Sequence, residues 1–140
     1  MRLVDQAGVE ALEHAECVRL LAGSEVGRLG VVDGGQPLIL PLNYVLSGDS
    51  IVMRTAAGTK LEHAHGSPAC LEVDEIETLT HSGWSVLAVG RLEEVTDYDD
   101  SEVQLVRTLS LSPWAGGDRP HWLRLVITRL TGRRVGSALR

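Results

Sequence analysis

Three short apolar runs cut by glycine-rich turns constrain this chain most. GRLGVV (27–32), PLILPLNYVL (37–46) and IVMRT (51–55) are separated by DGGQ and SGDS. Runs this short, punctuated this closely, read as extended strands of an antiparallel meander. Within 37–46, Leu38, Leu40, Leu42, Tyr44 and Leu46 alternate with Pro37, Ile39, Pro41, Asn43 and Val45, so the two phases face opposite sides of a sheet. Both prolines lie on one phase. Proline cannot donate to a ladder, so this strand is expected to be an edge, or bulged, near Pro41.

The remaining elements follow from periodicity. Residues 8–22, GVEALEHAECVRLLA, carry Val9, Leu12, Ala15, Val18, Leu21 and Ala22 at helical spacing, which predicts a helix with Asp5 as N-cap and Gly23 as stop. A short helix is expected at 59–66 and a strand at 68–75. WSVLAVGRLEEV (84–95) is the longest strand, apolar on both phases through Val89; it should be covered on both faces, with Gly90 marking a bend or close approach. A second helix fits 99–110, acidic at its start, followed by a loop at 113–120 and a final strand at 121–130 ending in TGRR. The sum is α+β, mainly antiparallel β: one domain over 1–140, with about six strands in a small barrel and short flanking helices.

A net charge of −6 and a pI near 5.3 argue against a nucleic-acid binder or a ligand of anionic membranes. Any anion site must therefore be local. With no Phe in the chain, the core must rest on Leu, Val, Ile and Ala. Cys17 and Cys70 have neither the number nor the spacing of a disulfide framework or a zinc site, and read as small reduced residues of a cytoplasmic protein. No run reaches signal-peptide or membrane-spanning length.

The local anion site is RTAAGTK (54–60), which holds the chain's single lysine. Thr59-Lys60-Leu61-Glu62 fits a capping box, and a capped helix with a solvated Lys60 is sufficient explanation in itself. The functional reading adds the cations. A helix N-terminus suits a phosphate, Arg54 offers a planar fork and Lys60 a flexible point charge, and Thr55 and Thr59 offer hydroxyl donors. The order does not fit the nucleotide-binding P-loop, so a single terminal phosphate suits the site better than ATP or GTP.

In the order and spacing of the leading helix, GRLGVV, PLNYV, IVMRTAAGTK, GWSVLAVGRLEEV, PWAGG and the closing W-x-R and TGRR, the sequence resembles the pyridoxamine 5′-phosphate oxidase-like, FMN-binding split-barrel family, in its short actinobacterial-type members. The resemblance implies a six-stranded split barrel working as a homodimer, with FMN at the subunit interface. It places the phosphate grip on Arg54, Thr55, Thr59 and Lys60. Flavin-ring contacts fall around Pro41, Leu42 and Asn43, with Trp84 and Ser85 on the long strand. It implies an FMN-dependent oxidoreductase with a small-molecule substrate or electron donor. The longer C-terminal motif of the members that oxidise pyridoxamine phosphate does not match, which argues against vitamin B6 oxidation. Related reductases use a deazaflavin cofactor and some members bind haem, so those cofactors, and a carrier or sensor without turnover, stand as alternatives. A deazaflavin's longer acidic tail would call on further basic residues, for which Arg119 and Arg124 are the nearby ones.

Trp114, Trp122 and Arg124 are assigned to a substrate pocket, although large aromatics also serve to plug a barrel or an interface. His63-Ala64-His65 invites a metal reading, but positions i and i+2 of a helix point apart, and a surface or interface role fits better. His14, His81 and His121 form no Ser/His/Asp arrangement. Asp97, Asp99 and Asp100 read as carboxylates at a helix start, without catalysis.

Overall fold

The structure, a computed structural model, describes residues 3–4, 8–55, 65–95 and 121–136. In chain order the elements are β1 (Leu3–Val4), β2 (Val9–Ala11), α1 (His14–Ala22), β3 (Val26–Asp33), β4 (Gln36–Ser47), β5 (Ser50–Thr55), β6 (Pro68–Glu77), β7 (Ser82–Val95) and β8 (His121–Val135). Strands β3 to β8 close into a ring in the order β8-β5-β4-β3-β6-β7, with β7 pairing back onto β8. All pairings are antiparallel, so the meander and the six-stranded barrel read from the sequence are both present.

The alternation along β4 works as expected. Tyr44 is buried, and Leu38, Leu40, Leu42 and Leu46 pack against a core that includes Leu29, Ile51, Met53, Leu71, Val73, Val86, Leu92 and Leu125. Among the described residues, Pro41 lies where β4 is paired on one side only. Residues Gln36 to Asn43 run beside β3, whereas Tyr44 to Ser47 run beside β5. The strand changes partner between Asn43 and Tyr44, and the barrel splits at that point.

Two expectations need correction. The helix expected over 8–22 begins only at His14, with Glu13 and not Asp5 at the N-cap position; Val9–Ala11 is instead a strand. Its apolar residues match the helical period, but long-range pairing with Arg133–Val135 of β8 fixes the backbone as extended. The final strand does not end at residue 130 but continues through TGRR to Val135, because β7 and β2 flank it there. Of the helix expected at 59–66, residues 59–64 lie outside the described residues, and His65 and Gly66 form a turn. The helix at 99–110 and the loop at 113–120 also lie outside them.

Gly23 does end α1. Gly90 is a close approach, as expected: the β7–β8 register shifts between Val89 and Gly90, and a Cβ on Gly90 would lie 1.8 Å from the Val126 carbonyl oxygen. Only a glycine lets the two backbones meet there. Val86 and Ala88 of β7 point into the core while Leu87 and Val89 are half-buried on the other phase, consistent with a strand whose two faces are both apolar.

Candidate functional site

Arg54 sits near the end of β5, on the outer face of the barrel, since its neighbour Met53 points into the core. It pairs with Trp122 of β8, and its guanidinium carbon lies 5.0 Å from the centroid of the Trp122 ring. That is cation–π range. Trp122 is buried with Val52 in a small outer cluster, with the half-buried Val95 packed against them, separate from the barrel interior. The aromatic does not plug the barrel, as one sequence reading had it; it makes a flat seat for Arg54. On the same face Arg124 donates from Nη2 to Glu93 Oε2 at 3.2 Å.

The structure therefore brings together residues that the sequence had placed in two sites. Arg54 belonged to the phosphate grip, Trp122 and Arg124 to the substrate pocket, and they stand on neighbouring strands. Thr55 closes β5 opposite His121. Thr59, Lys60, Trp114 and Arg119 lie outside the described residues. His65, of the paired histidines, accepts the Glu94 N–H at Nδ1 (2.9 Å) and so ties the turn after residue 64 to β7.

Asn43 lies at the split in β4, one residue before Tyr44 pairs with Met53, and its side-chain amide donates to the Glu25 carbonyl at 3.4 Å. Pro41 is exposed and Leu42 turns inward against the core. Tyr44 N–H donates to Glu25 O at 3.1 Å, on the β3 side. Strict alternation then puts the nitrogens of Pro37 and Pro41, which carry no hydrogen, on the opposite edge, beside carbonyls that can still accept.

Trp84 and Ser85 lie elsewhere. Trp84 pairs with Arg134 at one end of the β7–β8 ladder, whereas Val95 pairs with Trp122 at the other. At about 3.3 Å per residue, about 36 Å of strand contour lies between Trp84 and Val95 at the Arg54 end. Ser85 has Asp74 and Arg133 as its lateral partners, one on each side. Gly83 and Ser85 are small, so the outer surface dips between the longer side chains of β6 and β8. The resulting cavity, of about 410 Å³, has Glu72, Asp74, Trp84, Ser85 and Arg133 in its walls.

Two of its wall residues, Glu72 and Asp74, belong to an ion triad that the sequence reading missed. Arg28 Nη1 donates to Glu72 Oε1 and to Asp74 Oδ2, each at 2.9 Å. Burial, followed by the hydrogen bond and charge of Asp74, pushes the Glu72 carboxyl up to about 7, against the opposing pull of Arg28. The visible signal was Glu72-x-Asp74 on one face of a strand; its partner Arg28 could only be found from the β3–β6 register.

A closed six-stranded antiparallel ring with a split fourth strand, a helix on one end and a stacked arginine beside the split defines the class as a split-barrel protein. The family model for pyridoxamine 5′-phosphate oxidase matches residues 13–134, and the chain belongs to that family. It is 30% identical over 112 residues to the uncharacterized protein Rv0080 of Mycobacterium tuberculosis, covering 76% of this chain and 72% of the relative. The structure resembles that of the FAD-binding protein from Mycobacterium smegmatis, with 29% identity, a TM-score of 0.74, and coverage of 90% of this chain and 97% of the other. A conserved protein of unknown function, DIP1874, from Corynebacterium diphtheriae is similar at 27% identity and a TM-score of 0.75, with coverage of 91% and 98%. Among the described residues, no helix is long and apolar enough to cross a membrane.

Proposed function

We propose that the protein is a flavin-dependent oxidoreductase that binds FMN through Arg54, Thr55, Thr59 and Lys60, acts on a small-molecule substrate, and works as a cytoplasmic homodimer. The observation that carries this reading is the half-buried Arg54 seated on Trp122, at the start of a segment that continues into Thr59 and Lys60. A guanidinium steadied by an aromatic face loses less freedom when it grips a phosphate. The described part of the site fits such a group. The edge of β4 at Pro41, unpaired among the described residues, adds backbone acceptors suited to the N–H of a flavin's pyrimidine edge. When bound, the flavin supplies the redox chemistry, and the chain supplies grip, orientation and electrostatics.

Two features support the dimer. Arg54 and the pair Trp84–Ser85 lie toward opposite ends of the β7–β8 ladder, and a second copy would bring one set to the other. Val32 (62% exposed) and Ile39 (71% exposed) also present apolar surface on the outer face of β3 and β4. Light scattering of the purified protein tests the dimer, and a monomer at micromolar concentration counts against it.

FAD is the second reading, favoured by the FAD-binding neighbour from Mycobacterium smegmatis. FMN and FAD share the ring, the ribityl chain and the first phosphate, so the same grip serves both. Titration of apoprotein with FMN and with FAD, followed by flavin fluorescence, separates them. Failure of both to bind would sink the flavin assignment. Reduction of the bound flavin by a nicotinamide donor, faster than that of free flavin, then separates an oxidoreductase from a carrier.

A further inference from the structure

A second cavity lies away from Arg54 and from the Glu72–Arg133 trough. It has a volume of about 210 Å³ and opens between α1, the β4–β5 turn and the middle of β8. It exists because β8 is irregular there. Val89 pairs with Arg129 but Gly90 pairs with Ile127, so Thr128 is the extra residue of a bulge, and α1 does not fill the space beside it. Thr128 Oγ1 donates to the Val89 carbonyl at 3.1 Å, and the Ile127 N–H donates to the Asp49 carbonyl at 3.0 Å. The bulge and the turn are therefore pinned to each other, and the cavity is preformed.

Its lining has two parts. Leu21, Leu46, Ile127 and Leu130, buried or half-buried, give an apolar floor. His14, Asp49 and Arg129 lie at the exposed rim. Among the described residues, none of these three side chains has a hydrogen-bond or ion-pair partner. An apolar floor under a few convergent polar groups is the usual make-up of a small-molecule site. The rim holds both signs of charge, so a simple fatty acid would meet Asp49 unfavourably and a simple amine would meet Arg129 unfavourably.

We infer that this cavity binds an apolar α-amino acid: its carboxylate on Arg129 with His14 beside it, its ammonium on Asp49, and its side chain over the leucine and isoleucine floor. At about 30 Å³ per water, the space equals that of roughly seven waters, which suits a side chain of leucine or phenylalanine size. The ligand would touch α1, the β4–β5 turn and β8 together, so binding raises the melting temperature by mass action.

The test is isothermal titration and thermal shift of the full chain with L-leucine and L-phenylalanine, with 4-methylpentanoate and 3-methylbutylamine as analogues lacking one charge each. The expected result is saturable binding of at least one amino acid, with each analogue about tenfold weaker or more. Arg129→Ala and Asp49→Asn, both at exposed positions, should each weaken amino-acid binding by about tenfold or more while circular dichroism stays unchanged. Lys60→Ala should leave it unaltered, which separates this site from the proposed flavin grip. Absence of saturable binding up to about 10 mM, equal binding of the analogues, or binding indifferent to both rim substitutions would each overturn the inference.

Discussion

Arg54 and Trp122 face each other across the β5–β8 ladder with the guanidinium carbon 5.0 Å above the indole ring. The barrel core is built from the opposite faces of both strands, and on this outer face Trp122 packs against Val52. Under the proposed function, the pairing prepares a cation for the flavin phosphate. Arg54→Ala should weaken flavin binding by about 1–3 kcal/mol through loss of a charge-assisted contact. Trp122→Leu, which keeps apolar volume but removes the ring face, should cost a smaller amount, about 0.5–2 kcal/mol. Flavin fluorescence titration of the two variants provides the check, and equal affinities to the parent chain would remove Arg54 from the site.

Gly90 should be the least replaceable residue of β7. Its missing side chain is what lets the Val126 carbonyl approach, and a Cβ there would lie 1.8 Å from that oxygen. Gly90→Ala forces the ladder apart at the bulge, so a loss of about 4 kcal/mol or more is expected, enough to leave much of the chain unfolded or aggregated. Urea denaturation, or failure to obtain soluble protein, measures it.

Tyr44 joins the barrel to α1 by donating its hydroxyl to the Leu21 carbonyl at 2.5 Å. Tyr44→Phe removes the donor and leaves a buried acceptor, at a cost of about 1–3 kcal/mol. Burial also pushes the phenol up to about 12. A phenol with a raised pKa binds its proton more tightly in the folded chain than in the unfolded one. The stability it contributes is thus complete below pH 10 and lost as pH rises toward 12. Alkaline unfolding of Tyr44→Phe should lack that step.

Glu16 behaves in the opposite sense. Arg19, then Arg134, hold its carboxyl down to about 2, and the contact with Arg134 (3.2 Å) links α1 to the end of β8. A depressed carboxyl stabilises the fold above its unfolded value of about 4.5, and that contribution disappears as pH falls toward 2. Thermal melts of Glu16→Gln and the parent chain should therefore differ at pH 7 and converge near pH 2.

The Glu72 carboxyl, raised to about 7, should show its own window. Its neutral form is favoured in the folded chain, so its contribution is present below pH 4.5 and lost as pH rises through 7. Glu72→Gln should consequently be tolerated well at pH 8, with a melting temperature equal to or above that of the parent. Arg28→Ala should lower the melting temperature most at pH 8, where both carboxylates are charged. A pH-independent difference in either case would refute this account of the triad.

The barrel was legible because its determinants are local. Alternation in 37–46, glycine turns and the proline phase each act over a few residues, and they recovered the meander, the one-sided edge near Pro41 and the close approach at Gly90. What was misread depends on distant partners. Val9–Ala11 matches a helical period and becomes a strand only because the end of β8 lies beside it. TGRR reads as a strand end, yet Gly132 is there because a side chain would collide with Cys17 Sγ at 2.8 Å where α1 packs. The site divides similarly: Arg54 was visible in its motif, whereas the seat provided by Trp122 and the Arg28–Glu72–Asp74 triad needed strand register. Thr59, Lys60 and Trp114 lie outside the described residues.

The one-sided stretch of β4 has a consequence for how copies of this chain can meet. A bare strand edge normally invites another molecule to continue the sheet, which leads to open-ended aggregation. Here Pro37 and Pro41 remove every other donor from that edge, so no intruding strand can complete a ladder along it. The carbonyls remain, able to accept from a small molecule that brings its own N–H. The same two residues thus refuse polymerisation along this edge, and under the proposed function they leave its carbonyls to a ligand and the side-chain faces to a second copy.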